Sequence, residues 1–176
     1  MVDWTLRDAT PEDLPELLEI LNHYIRHSVA SFRLAPLGPE AGRRWFASHA
    51  DPRHPVVVAT GPPDTDLPAA VTLAGWASLS AWSQYEAYAG TAEISIWLRP
   101  QCLRRGLGRR FMRHLLDRAS GAGLRVVLSR VEASNEGSLR LHEAMGFRTI
   151  GTMHHVGEKD GRLLDVVMLE RAVDSG

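Results

Sequence analysis

Residues 93–110 read EISIWLRPQCLRRGLGRR, and this stretch restricts the fold more than any other. Its first half has period two, which predicts a strand with Glu93, Ser95 and Trp97 on one side and Ile94, Ile96 and Leu98 on the other. Pro100 lacks a backbone donor and fixes its own φ, so the strand should stop near it. Arg104-Arg105-Gly106-Leu107-Gly108-Arg109 then sets two glycines within a basic run. Glycine adopts strained dihedrals cheaply and lets main-chain N–H groups approach a ligand. A helix begun here would aim those amides, and the positive end of its dipole, at an anion. The pattern predicts a loop that holds a pyrophosphate, preceded by a strand that carries a catalytic carboxylate.

The remaining features bound the setting. A chain of 176 residues suits one domain, residues 1–176, with a substantial core. The formal net charge of −1 argues against binding nucleic acid by bulk electrostatics. Cys102 is the single cysteine, so no internal disulfide can form. No secretory leader and no membrane-length apolar run is visible, which predicts a cytoplasmic protein without a membrane partner.

Along the chain, residues 2–7 read as a first strand. Thr10-Pro11-Glu12-Asp13 opens a helix whose core face is Leu14, Leu17, Leu18, Leu21 and Ile25, fraying by His27 or Ser28. An extended connection through Phe32 leads to a second helix from Glu40 to about Ser48. Residues 56–59 form a short buried strand, 61–66 a loop, and 69–80 its hairpin partner. Residues 82–90 lack a period and read as a loop or distorted strand end. Leu107, Phe111, Leu115 and Ala119 mark a third helix ended by Gly121 and Gly123. A valine-rich strand (125–131), a short helix capped by Ser134-Asn135 and stopped at Gly146, and a hairpin of 147–156 with 162–169 complete the order. Interleaved helices and strands give an α/β (α+β) class with a mixed sheet.

The basic loop is neither of two familiar phosphate loops. A dinucleotide fingerprint needs a third glycine where Phe111 stands, and a P-loop needs Gly-Lys-Ser/Thr where the chain has Gly108-Arg109-Arg110. That leaves anion binding, or a plain helix start with solvated arginines. His23 and His27 have metal-binding spacing on a helix but no third ligand nearby, so no metal is expected.

Asn22-His23-Tyr24-Ile25 with Ser28 and Phe32, Ala87-Tyr88 with Thr91, Glu93 and Ser95, Arg104-Arg105-Gly106-Leu107-Gly108, and Asn135, Ser138, His142, Glu143, Gly146 and Phe147 occur in an order that resembles the GNAT N-acetyltransferase superfamily. Within it the chain most resembles the phosphinothricin acetyltransferase family, over nearly its whole length. The resemblance implies a mixed, mostly antiparallel sheet flanked by about four helices and splayed at the central strand. It implies direct acetyl transfer from acetyl-CoA to a primary amine of a small molecule, with Glu93 as general base, and a homodimer. It also implies that backbone groups of Ile96, Trp97 and Leu98 pair with the pantetheine arm. Arg104, Arg105, Gly106, Leu107, Gly108 and Arg109 would hold the pyrophosphate, with Asn135 and Ser138 near the coenzyme.

Chemically, only a deprotonated amine attacks a thioester, so a carboxylate beside the cleft has a proton to accept. The alternative for Glu93 is a solvated strand residue, for Asn135 a helix cap, and for His142 a packed histidine instead of one assisting the substrate or a proton. Phe32, Trp82, Tyr85 and Tyr88 read as the substrate pocket, or as core. Three positions depart from the family. Leu103 replaces a Gln or Arg, Trp97 a tyrosine, and Tyr85 an arginine suited to an amino-acid carboxylate, whose bidentate pair a phenol cannot make. The rival readings are a non-catalytic acyl-CoA-binding or regulatory module, an acetyltransferase acting on a protein N-terminus or lysine, and, against the loop's ending, a phosphotransferase.

Overall fold

A computed structural model describes residues 4–61 and 71–173. The described chain runs β1 (Thr5–Asp8), α1 (Leu14–His27), α2 (Pro39–Ala47), β2 (Val56–Thr60), β3 (Leu73–Ala81), β4 (Thr91–Leu98), α3 (Leu107–Gly121), β5 (Val126–Glu132), α4 (Glu136–Ala144), β6 (Arg148–Lys159) and β7 (Arg162–Ala172). Pro11–Asp13, read as the opening of the first helix, is a 3-10 turn leading into α1, and further 3-10 turns lie at Glu86–Tyr88 and Pro100–Cys102. The strands form one seven-stranded sheet in the order β1-β2-β3-β4-β5-β7-β6. Every pairing is antiparallel except β4 with β5. The expected class, the mostly antiparallel sheet and the four helices are all present. Part of the predicted first strand, most of the 61–66 loop and the first two residues of its predicted hairpin partner lie outside the described residues.

Two apolar layers cover the sheet. On one face Ile94, Val57, Leu79 and Val127 pack against Leu107, Phe111, Met112 and Leu115 of α3. On the other, Val56, Val58, Leu73 and Trp76 pack against Leu17, Ile20, Leu21 and Ile25 of α1. Trp97 joins this second layer while Ile96 and Leu98 join the first, so the alternation read along β4 holds.

Local chemistry fixes the corners. Between β1 and α1, Arg7 holds Asp13 through two bonds of 2.6 and 2.8 Å, and Asp13 accepts the Thr10 N–H at 2.8 Å. Arg99, buried just past β4, donates to the Leu73 carbonyl at 2.8 Å and to Glu19 and Glu16 of α1 at 2.9 and 3.0 Å. Glu16 also accepts from the Leu73 N–H, so α1 is riveted to the ends of β3 and β4. The last hairpin is longer than its hydrophobic pattern suggested. It closes on Asp160 and Gly161, both at positive φ, as a two-residue Asp-Gly turn requires. Beside that turn, Lys159 is buried and donates to the carbonyls of Ser28 and Ser31, each at 2.8 Å, which ties the hairpin to the segment after α1.

Candidate active site

β4 and β5 pair only at Thr91↔Val126, Ala92↔Val127 and Glu93↔Leu128. Beyond Glu93 both strands continue, β4 to Leu98 and β5 to Glu132, with no further pairing between them. The sheet thus opens as a fork, and Glu93 stands where the prongs part. Along one prong lie Ile96, Trp97 and Leu98; at their end the chain turns into the basic loop. The Leu98 carbonyl already accepts the Tyr24 hydroxyl at 2.7 Å, so the group predicted to be open there is partly engaged.

The loop has the backbone expected of an anion cradle. Arg104 and Gly106 take φ of 59° and 82°, and Gly106 is the N-cap of α3 with no side chain capping it. The first bond of the helix runs from the Arg110 N–H to the Gly106 carbonyl at 3.2 Å. The amides of Leu107, Gly108 and Arg109 therefore precede the first intrahelical donor. A Cβ on Gly106 would meet nothing within 4 Å, so open space adjoins it. Gly108 differs: its Cβ would lie 3.1 Å from Leu141 Cδ2, so this glycine lets α3 and α4 approach each other. Arg104 and Arg109 are exposed, and the Trp4 indole N–H reaches the Arg105 carbonyl at 3.4 Å. Cys102 is buried, and burial pushes its thiol pKa up, which suits packing and not nucleophilic chemistry.

Glu93 is not a solvated strand residue. Its side chain is 19% exposed, and its carboxylate receives a bidentate pair from Arg130, Nε to Oε1 and Nη2 to Oε2, both 2.6 Å. Arg130 follows Leu128, the register partner of Glu93, by two residues, so both side chains share a face. Its guanidinium carbon lies 5.6 Å from the centroid of the Trp82 ring. Nothing local in the sequence marks Arg130, because only the parallel register brings it to Glu93.

The same face carries Ser80, the register partner of Glu93. The Ser80 hydroxyl lies 2.9 Å from His49 Nε2, and His49 Nδ1 lies 2.9 Å from the Trp45 carbonyl. A carbonyl only accepts, so Nδ1 carries the proton and Nε2 accepts from Ser80. Burial keeps this imidazole neutral by lowering its pKa. Beside it Trp45, Trp76, Trp97 and Tyr24 form a chain of tilted ring contacts at 5.0, 6.3 and 5.4 Å.

None of these four aromatics is among the residues read as a substrate pocket. Of the four residues read as a substrate pocket, Trp82 backs Arg130, while Phe32, Tyr85 and Tyr88 are exposed at 40%, 63% and 49%. Tyr85 and Tyr88 belong to the irregular β3–β4 connection, where no hydrophobic pattern ties them to the core. Both stand exposed on that connection. The other predicted residues belong to α4. Asn135 caps it, its side chain accepting the Ser138 N–H at 3.2 Å. Ser138 in turn offers its carbonyl to His142 Nδ1 at 2.8 Å. His142 is buried, stands edge-on to Phe147 at 4.9 Å, and has its pKa lowered by burial. Among the described residues no group of three His, Cys, Asp or Glu side chains is placed to hold a metal ion. No described helix is long and apolar enough to cross a membrane.

Comparison with known proteins agrees with this geometry. Residues 3–148 match the acetyltransferase (GNAT) domain family. The L-methionine sulfoximine/L-methionine sulfone acetyltransferase of Pseudomonas paraeruginosa is 32% identical over 170 residues, 97% of this chain and 95% of its own. The phosphinothricin N-acetyltransferase of Streptomyces coelicolor is 33% identical over 167 residues, 94% of each chain. The crystal structure of a GNAT superfamily phosphinothricin acetyltransferase from Sinorhizobium meliloti, in complex with AcCoA, superposes with a TM-score of 0.89 at 29% identity, over 98% of this chain and 90% of that one.

Proposed function

The chain belongs to the GNAT acetyltransferase family, and on that premise we propose that it moves acetyl from acetyl-CoA to the primary amine of a small amino-acid-like molecule, with Glu93 as the general base. The observation that carries this reading is the fork: β4 leaves β5 at a carboxylate, and the loop after it leads to a helix start that no side chain caps. The acceptor class follows the names of the relatives, which act on methionine sulfoximine, methionine sulfone and phosphinothricin. One such domain would span residues 1–176 and work in the cytoplasm beside its cosubstrate.

The residues present fit acetyl-CoA. The left-handed turn at Gly106 and the open space beside it leave room for a diphosphate against the Leu107–Arg109 amides, with Arg104, Arg105 and Arg109 adding charge. Backbone of Ile96 to Leu98 is the surface for the pantetheine arm, and the Asn135–Ser138 turn borders the opposite prong. When bound, the cosubstrate supplies a thioester carbonyl for attack. Glu93 accepts the ammonium proton, which releases the nitrogen lone pair. Phe32, Trp82, Tyr85 and Tyr88 meet the acceptor. His142, neutral and fixed between Ser138 and Phe147, positions α4 and thereby the cap residues. A homodimer is supported by exposed apolar side chains on the last hairpin, Ile150, Met153, Val156 and Leu163.

Thiol release from acetyl-CoA, followed across amino acids, methionine sulfoximine, phosphinothricin and polyamines, tests the reading. Turnover with amino-acid-like acceptors is expected. Tight acetyl-CoA binding with no turnover on any of them would instead make the protein a non-catalytic acyl-CoA-binding module.

A further inference from the structure

Arg130 sits at the centre of the fork without a part in the chemistry above. Its guanidinium is spread flat against the Glu93 carboxylate by two bonds of 2.6 Å, and its side chain is 45% exposed. Trp82 backs it at 5.6 Å. The pair is therefore a preformed plus–minus couple, open to solvent on one side, at the point where an acceptor must arrive.

That arrangement conflicts with acceptance of a simple amine. An ammonium group moving onto Glu93 would meet a guanidinium already using both carboxylate oxygens. It would either face like charge or displace Arg130 and leave it without a counter-ion, and a charge stripped of its partner in a partly buried site is costly. A zwitterion removes the conflict. Its carboxylate takes over the guanidinium fork while its ammonium takes over Glu93, so four charged groups re-pair as two couples and none is stranded. The ammonium and carboxylate of an α-amino acid share one carbon, and Glu93 and Arg130 are likewise in direct contact. Tyr85, the residue at the position where an arginine would suit such a carboxylate, is largely exposed and has no guanidinium to offer.

Resting on the acetyl transfer proposed above, we propose that Arg130 is the carboxylate receptor of this enzyme: it exchanges Glu93 for the α-carboxylate of the acceptor and so selects α-amino acids over amines that lack one. Binding the acceptor and freeing the base are then one event.

The test compares an amino acid that the enzyme acetylates with its own α-carboxamide, at saturating acetyl-CoA, in the wild type, Arg130→Met and Arg130→Lys. The wild type should prefer the acid. Arg130→Met should lower kcat/KM for the acid by roughly 10- to 100-fold, the range expected for losing a charge-assisted pair, mainly through KM. Its effect on the carboxamide should be at least tenfold smaller. Arg130→Lys, which keeps the charge but not the fork, should fall between wild type and Arg130→Met on the acid. A wild type that uses the carboxamide as well as the acid overturns the proposal. So does Arg130→Met slowing both acceptors equally, which would leave Arg130 as a partner of Glu93 alone. A wild type that releases no thiol with any acceptor would instead remove the acetyl-transfer reading on which the proposal stands.

Discussion

Glu93 has to be held and yet be available. Its bidentate pair with Arg130 holds the carboxylate in one orientation through two bonds of 2.6 Å. Glu93→Gln keeps the shape and removes the charge. The expected result is a fall in kcat/KM of about 10²- to 10⁴-fold at neutral pH, the usual worth of a positioned base. The deficit should narrow as pH rises and solvent deprotonates the amine, so the pH–rate profiles of the two proteins should converge. An unchanged rate at pH 7 would remove the base assignment. Glu93 and the glycines of the basic loop were legible in the sequence because strand alternation and glycine chemistry are local. Arg130, His49 and the Trp45–Trp76–Trp97 row were not, since each reaches the site through a register or packing contact between distant segments.

At the level of elements, the prongs of the fork are held by what flanks them. Arg99 ends β4 with its guanidinium on Glu16 and Glu19 of α1, and Tyr24 of the same helix reaches the Leu98 carbonyl. Arg99→Met strands those carboxylates and the Leu73 carbonyl. Removing one member of a buried pair costs about 3–5 kcal/mol; Glu19 is well exposed, so the lower end, about 3 kcal/mol, is expected. Denaturant unfolding should show the loss as a lower midpoint at an unchanged slope. The bounds of α2, α3 and α4 came within a residue or two of the prediction, α4 because local chemistry marks both its ends: Asn135 caps it, and Gly146 follows it at a φ of 80°. β6 was harder to delimit. Its register shifts near Gly151 and Gly157 break the period of two on which a strand is read.

For the molecule as a whole, acid should act in two steps. Burial lowers the pKa of His49, His54 and His142 below the ordinary 6.5, and His54 Nε2 is buried with no partner. The unfolded chain therefore binds more protons than the fold as pH drops through about 6.5, and stability falls with it. Asp13, Glu16 and Glu19 have pKa values lowered chiefly by hydrogen bonds from Arg7, Thr72 and Arg99, so their contributions persist until pH falls below about 4. Melting temperature measured between pH 7.5 and 5 should decline, and His142→Asn should decline less; parallel curves would remove His142 from this account. The sheet order and the fork had no signal in any single segment, because they are properties of how segments meet. Lys159 shows how far such meetings extend. It is 131 positions from the Ser28 carbonyl it holds, and it lies beyond residue 148, where the match to the acetyltransferase family stops. The stretch that presents Phe32 thus owes its place to the tail end of the chain. A graft that stopped at residue 148 would leave that stretch without the lysine that tethers it.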